Sequence, residues 1–159
     1  MNENAQPLEV AMDFIKRINA GDVNALCQLM TEGHVFQDAL GKRFIGRETM
    51  RHGWTNYLKM VADYQVHADE FFQTDERIAI FGTASGRYVG SHGPSMEAGN
   101  GAPVHATAGH NRDLHATGSN GFWEVPAAWR AVVQHGKIAE WRVYADNQPL
   151  RKLMGDATP

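Results

Sequence analysis

The chain has 159 residues, of which 43% are hydrophobic and 21% are charged. This is the length and composition of one globular domain, which excludes a disordered or a fibrous protein. Fifteen basic against 18 acidic side chains give a formal charge of -3, which offers no positive field to nucleic acid. The single Cys27 excludes an internal disulfide, and the sequence has neither a leader pattern nor a run of 18 apolar residues. We therefore expect a cytoplasmic protein that does not bind a membrane.

Apolar residues recur at three- and four-residue spacing in three segments of the first half of the chain, which predicts three helices. The first spans about 7–20, and the last spans about 47–62. Asp22 is placed to cap the second helix, and Gly33 is placed to close it. A short strand over 34–38 is expected to follow, and then a loop through Gly41 and Gly46.

After Asp63 the pattern changes from helical to alternating, which predicts four strands in two hairpins. Their expected bounds are 64–72, 77–88, 122–134 and 137–144. The hairpins turn at 74–76 and at His135-Gly136, and a short helix over 149–154 is expected at the end. Helices followed by strands predict an α+β domain, with the helices packed on one face of a curved antiparallel sheet.

The stretch 90–121 holds seven glycines, two prolines and four histidines but almost no aliphatic residues. It has no core of its own, so we expect an inserted loop within a single domain, either a functional lid or a mobile segment. In the principal interpretation given below it is the lid. The spacing of the histidines, 13, 5 and 5 residues, matches no metal-binding motif. We therefore predict no metal site, and no cofactor fingerprint such as a phosphate-binding glycine loop is found elsewhere.

Four segments of the chain carry a resemblance to a known superfamily. They are FIKRINAGDVNAL at 14–26, HVFQD at 34–38, FIGRE at 44–48 and GKIAEWRVYAD at 136–146. Together they resemble the nuclear transport factor 2-like superfamily and, within it, the SnoaL-like polyketide cyclases most of all. The resemblance implies a cone-shaped sheet that wraps around the N-terminal helices, encloses an apolar pocket and forms a homodimer through its outer face. Such a fold hosts isomerases, dehydratases, hydrolases, cyclases and proteins that only bind.

Asp38 follows an apolar strand and precedes a glycine-containing loop. In the ketosteroid isomerases, which the layout resembles, the matching aspartate is the general base; alternatively, Asp38 only caps the turn before Gly41. The oxyanion donors of those enzymes are missing, because Phe14 stands at the tyrosine position and the strand aspartate falls near Ala127 or Ala128. Replacement donors are then expected among the aromatic residues Trp54, Tyr57, Trp123 and Trp129.

Asp146 ends the last predicted strand, at the position where the resemblance to SnoaL-like cyclases implies an acid/base aspartate. Strand alternation places Arg142, Tyr144 and Asp146 on one face, where a guanidinium, a phenol and a carboxylate converge. The alternative is an Asp-Arg pair that ties the strand to the final helix. His52, on the third helix, is a further candidate acid or base. The alternative is a histidine without a catalytic role, since a lone helical histidine is more often a surface residue or a hydrogen-bonded core residue.

In the strand over 122–134 every odd position from Trp123 to Val133 is apolar, whereas Glu124 and Arg130 occupy even positions. Alternation alone does not decide which face lines the pocket. We expect the polar face at the rim or in a dimer interface, and the tryptophans Trp123 and Trp129 in the core or the pocket wall.

These features lead to one principal interpretation and two alternatives. The principal one is a cofactor-free enzyme of isomerase, cyclase, dehydratase or hydrolase type, acting on a small apolar carbonyl, phenolic or polyketide-like molecule. Asp38 and Asp146 would move protons, Arg142 and Tyr144 would orient the substrate, and aromatic residues would wall the pocket. Those residues are Phe14, Trp54, Tyr57, Trp123 and Trp129. The alternatives are a non-catalytic ligand-binding or sensing dimer and a protein-interaction module.

Overall fold

The computed structural model describes residues 6–90 and 121–155. The predicted histidine-rich loop lies almost entirely outside this part of the chain. The elements run in the order α1 (Pro7–Ala20), α2 (Val23–Gln28), β1 (Met30–Gln37), β2 (Arg43–Ile45), α3 (Arg47–Met60), β3 (Val61–Thr74), β4 (Arg77–Tyr88), β5 (Phe122–Gln134), β6 (Lys137–Ala145) and α4 (Gln148–Leu153). The described residues therefore confirm the α+β prediction, with helices first and the long strands after them.

The first helix has the bounds that its apolar periodicity predicts. Pro7 occupies its first turn, where a missing N–H costs nothing, and Gly21 ends it with a left-handed φ of 66°. One stripe of the helix, which includes Phe14 and Ile18, is buried. This stripe packs α1 against the sheet.

The second helix is shorter than predicted. Asp22 caps it as expected, accepting the N–H of Ala25 at 3.0 Å, but the helix ends at Gln28 and not at Gly33. The chain is already extended at Met30, which pairs with Ile138 of β6. Sheet pairing thus overrides the helical spacing of the apolar residues. A second correction is the short strand β2, which lies in the segment predicted as a loop.

The six strands form one curved, unclosed sheet in the order β2-β1-β6-β5-β4-β3. Every neighbouring pair is antiparallel except β1 with β6, which is parallel. Both predicted hairpin turns are present, and each contains a non-glycine residue with positive φ, Asp75 at 53° and His135 at 51°. Aspartate tolerates this left-handed conformation well, and Gly136 completes the second turn.

Burial settles which face of β5 points inward. Its odd positions, Trp123 to Val133, are all buried, whereas Glu124 is exposed and Arg130 is half-buried on the other side. The apolar face therefore packs against the helices, and Arg130 pairs with Glu140 of β6 on the outer face. The inner face of the sheet supplies most of the hydrophobic core.

Candidate functional site

An apolar cavity of about 270 Å³ lies between α3, the inner face of the sheet and the start of α4. Seven of the 17 lining residues are aromatic: Phe36, Phe44, Trp54, Tyr57, Tyr64, Trp123 and Trp141. The remaining wall residues are small or aliphatic, apart from Thr49, Asp38 and Asn147. Asp38 is thus the one charged side chain among the lining residues that the structure describes. Such a lining, apolar with a few convergent polar groups, is typical of small-molecule sites.

The aromatic wall is a connected set of edge-to-face and tilted rings. The Tyr57 and Tyr64 ring centroids are 5.2 Å apart at 88°, and those of Trp54 and Tyr57 are 6.1 Å apart at 88°. Trp123 continues the wall, with its ring centroid 6.0 Å from that of Tyr64. Near-perpendicular contacts of this kind are favoured by the ring quadrupoles and hold the side chains in place.

Tyr64 reaches the cavity because β3 contains a bulge. The register of β3 against β4 shifts between Ala62 and Gln65, and Asp63 within it has a left-handed φ of 55°. Arg87 of β4 donates to Asp63 Oδ2 at 2.9 Å on the solvent side. The extra residue reverses the alternation of the strand, so that Tyr64 points inward.

Asp38 reaches the cavity through ordinary strand alternation. It lies two residues after Phe36, so both side chains are on the inner face at the end of β1. Asp38 Oδ1 accepts the backbone N–H groups of Leu40 and Lys42, each at 2.9 Å. The carboxylate therefore caps the turn, as one alternative predicted, and lines the cavity as well. No hydrogen bond joins Oδ2 to another described residue, so this oxygen is available to a ligand.

The cavity wall also contains hydrogen-bond donors without protein partners. Burial raises the pKa of Tyr57 and of Tyr64, so both phenols stay protonated at neutral pH. Neither hydroxyl bonds another residue in the described part of the chain. The buried indole N–H groups of Trp54 and Trp123 have no partner there either. Residues of the wall can therefore donate hydrogen bonds, but the described lining contains no carboxylate, histidine, lysine or arginine other than Asp38.

The structure divides the predicted pocket residues into two groups. Trp54, Tyr57 and Trp123 line the cavity. Phe14 and Trp129 do not: both are buried in the core, where the Phe14 ring lies 4.9 Å from that of Trp141. Neither residue belongs to the cavity lining.

The predicted catalytic residues are not all brought together. Arg142 and Tyr144 share one face of β6 as alternation predicts, with the guanidinium 4.6 Å from the ring centroid, but it is the outer face. Asp146 is exposed, and its Oδ1 accepts the N–H of Gln148 at the start of α4. His52 is exposed on α3. Of the predicted acid and base residues, Asp38 is the one at the cavity, and the roles of the others stay predictions.

Several residues that line the cavity were not predicted from the sequence to do so. Phe36 of β1 pairs with Trp141 of β6 in the parallel contact between these strands, and both side chains point inward. Phe36 and Asp38 are two residues apart, so strand alternation places them on the same side. Val143 and Ala145 of β6 also point inward. Their side chains have no reactive or hydrogen-bonding group, so the sequence does not indicate that they line a site. Tyr64 depends on a bulge, for which the only local indication is an aspartate before it.

Residues 6–90 and 121–155 contain no group of three histidine, cysteine or acidic side chains able to hold a metal ion. No helix in these ranges is long and apolar enough to cross a membrane.

The curved, unclosed sheet with helices packed on its inner face is a nuclear transport factor 2-like fold. The SnoaL-like domain family matches residues 11–141, and the chain belongs to this family. No curated protein shows significant similarity to the chain.

Solved structures share the whole fold at low sequence identity. A hypothetical protein with a ketosteroid isomerase-like fold from Catenulispora acidiphila, in complex with trimethylamine, is 17% identical with a TM-score of 0.67. The match covers 95% of this chain and 98% of that protein. A protein from Jannaschia sp., proposed to be a SnoaL-like polyketide cyclase, is 13% identical with a TM-score of 0.70, covering 100% and 97%. The epoxide hydrolase/cyclase-like enzyme SalBIII of salinomycin pyran ring formation is 15% identical with a TM-score of 0.64, covering 88% and 90%. These likenesses establish the fold.

Proposed function

We propose that the protein is a cofactor-free enzyme that moves a proton on a small carbonyl, phenolic or polyketide-like molecule. The observation that carries this proposal is the Asp38 carboxylate in a wall that is otherwise mainly aromatic and aliphatic. The cavity volume of about 270 Å³ lies just below the range of about 300–1,000 Å³ typical of drug-sized ligands. A substrate of one or two rings is therefore favoured. We also propose a cytoplasmic location, which the single free and buried cysteine, Cys27, supports.

In this proposal Asp38 Oδ2 takes a proton from the carbon next to the substrate carbonyl, or from a phenolic hydroxyl, and returns it to another position of the same molecule. The two backbone N–H groups on Oδ1 hold the carboxylate in one orientation, so little freedom is lost when the substrate binds. The phenols of Tyr57 and Tyr64 would donate to the oxygen on which negative charge develops. Their raised pKa values keep both protons in place for this task. General acid–base catalysis of this kind contributes roughly 10²- to 10⁴-fold in rate.

A non-catalytic ligand-binding protein is the second candidate. The observation that favours it is the outward orientation of Arg142 and Tyr144 and the exposure of Asp146, which leave Asp38 without a second acid or base at the cavity. The C. acidiphila protein in complex with trimethylamine also supports ligand binding on this fold. Binding requires no titrating group, so the two candidates differ in what happens to a bound molecule.

The test compares the wild type with Asp38→Asn and with a matched control, Asp146→Asn. A panel of one- and two-ring ketones, enones and phenols is screened by thermal shift, and each hit is analysed by mass spectrometry. A ligand at 100 times its Kd stabilises by about 2.7 kcal/mol, roughly 5–10 °C for a chain of this size. We expect the wild type and Asp146→Asn to convert a hit that Asp38→Asn only binds.

Two other results would change the assignment. Hits bound unchanged by all three proteins would support the binding protein. Loss of conversion in Asp146→Asn alone would move the acid/base role from the cavity carboxylate to the end of β6.

We also propose a homodimer formed through the outer face of the sheet. Phe72 and Phe81 are 59% and 47% exposed there, with their ring centroids 5.9 Å apart. Tyr144 is 43% exposed on the same face, beside the Arg130–Glu140 ion pair. A face that carries exposed apolar side chains and charges of both signs can be self-complementary about a two-fold axis. Analytical ultracentrifugation should show a dimer that Phe81→Glu converts to monomer; a wild-type monomer at micromolar concentration would contradict this.

A further inference from the structure

We propose that the cavity binds a small alkylammonium group, with its aromatic rings as walls and Asp38 as the counter-ion. The inference shares its site with the proposed function, but it does not require that Asp38 transfers a proton. If both hold, the substrate is an amine-bearing carbonyl compound.

The ring arrangement is that of a box. Tyr57 is perpendicular to both Trp54 and Tyr64, with centroid distances of 6.1 and 5.2 Å, and Trp54 lies 6.1 Å from Tyr64. Trp123 extends the wall beyond Tyr64. Aromatic faces attract a cation within about 6 Å of the ring centroid, and tryptophan does so most strongly. Methylated ammonium groups suit such a box, because their methyl groups pack against the rings and their charge is spread over the surface.

The charge of the lining favours a cation as well. Among the lining residues that the structure describes there is no lysine, arginine or histidine, and Asp38 provides a negative charge. Tyr57 and Tyr64 stay neutral, because burial raises the pKa of each phenol. An anionic ligand would therefore meet an uncompensated carboxylate, whereas a cation would neutralise it.

Asp38 has no ionic partner within the described part of the chain. Its Oδ1 is bound by two neutral backbone N–H groups, and Oδ2 is bonded to no described residue. The neighbouring Lys42 turns its ammonium elsewhere, 5.0 Å from the ring centroid of Phe44. This contact shows that a ring of the cavity wall already holds a cation on one face. It also places a positive charge beside the cavity, so Lys42 opposes a cationic ligand.

The experiment compares two probes of nearly the same shape by isothermal titration calorimetry. Choline carries a trimethylammonium group, and 3,3-dimethylbutan-1-ol carries a neutral tert-butyl group in its place. We expect choline to bind at least 10-fold more tightly to the wild type. Asp38→Asn should remove most of this preference, and Lys42→Met should preserve or increase it. Equal or tighter binding of the neutral alcohol to the wild type would overturn the proposal.

Tryptophan variants test the wall separately from the carboxylate. Trp54→Leu should weaken choline binding about 2- to 30-fold and affect the neutral alcohol less. Trp54→Phe keeps an aromatic ring in the same place, and it replaces the leucine variant in the test if that variant does not fold. It should retain most of the preference for choline over the neutral alcohol. Equal losses for both probes in a folded leucine variant would show that the ring acts by shape alone, which contradicts the proposal.

The outcomes also separate this inference from the proposed function. Choline binding without turnover of any carbonyl compound would leave the ammonium site in place and remove the enzyme. Conversion of a neutral ketone that choline does not inhibit would support the enzyme and contradict the ammonium site.

Discussion

The buried His34 predicts an acid-sensitive component of stability. His34 is fully buried at the β1–β6 contact, and its Nδ1 lies 2.8 Å from the carbonyl oxygen of Ile138. Because a carbonyl only accepts, Nδ1 carries the proton and Nε2, which has no partner among the described residues, carries the lone pair. Burial lowers the pKa of His34, although the Ile138 carbonyl and the charge of Glu140 oppose this. The ring is therefore neutral in the folded protein.

The sign of the pH effect follows from this lowered pKa. Unfolding releases His34 into water, where its pKa is about 6.5, so below that pH the unfolded state binds a proton that the folded state does not. Stability is thus fully present above pH 6.5 and falls as the pH decreases. Between pH 6.5 and 5.5 this single group removes up to about 1 kcal/mol of unfolding free energy, the limit being reached when His34 stays neutral throughout.

The assay is urea unfolding of the wild type and His34→Asn at pH 7.5, 6.5 and 5.5. Asparagine places an N–H near the position of Nδ1 but does not titrate, so it keeps the bond to Ile138 and removes the pH dependence. The variant will be less stable at every pH, because the ring is lost. The difference between the two proteins should shrink by up to about 1 kcal/mol from pH 6.5 to 5.5. A constant difference would refute the reasoning, since it would mean that His34 titrates equally in both states.

Two further substitutions test the packing. Trp129 is 1% exposed in the core, so Trp129→Ala should cost about 3–5 kcal/mol in chemical unfolding; a cost below about 1 kcal/mol would contradict its placement. A Cβ at Gly86 would lie 2.5 Å from Val61 Cγ1 and 3.2 Å from Trp123 Cζ2. Gly86→Ala should therefore destabilise by about 1–3 kcal/mol and weaken binding of any cavity ligand. Gly33→Ala, where a Cβ meets nothing within 4 Å, is the matched control, and equal effects in both would refute the steric argument.

The fold was predictable because its long elements carry clear periodicities. The bounds of α1 and β5 follow from apolar spacing, and the turn at His135-Gly136 follows from its residue types. The end of α2 was not predictable in this way. A short apolar run at Leu29 and Met30 suits a helix or a strand, and its pairing partner Ile138 is more than 100 residues away along the chain.

The candidate site was predictable only in part, for a geometric reason. Alternation indicated correctly that Arg142 and Tyr144 share a face of β6, but a period of two does not say which face points inward. Their neighbours Val143 and Ala145 line the cavity instead. Tyr64 is on the wall because of a bulge at Asp63. One inserted residue reverses the parity of the residues that follow it, here up to the second register shift between Ala68 and Glu70.

Asp38 shows that two interpretations of one residue need not exclude each other. Its Oδ1 caps the turn after β1, and the same side chain lines the cavity. A carboxylate has two oxygens and about four acceptor positions, so one oxygen can hold the turn while the other meets a ligand. The turn thereby orients the group that the proposed reaction needs.

The central claim, that Asp38 moves a proton on a molecule bound in the aromatic cavity, is tested most directly by hydrogen exchange. Small ketones that bind the protein are incubated with it in deuterium oxide, and loss of the proton at the carbon next to the carbonyl is followed by nuclear magnetic resonance. We expect the wild type and Asp146→Asn to accelerate this loss over buffer, and Asp38→Asn to reduce the acceleration by roughly 10²-fold or more. Equal acceleration by Asp38→Asn, or none by the wild type for any ketone that binds, would contradict the claim.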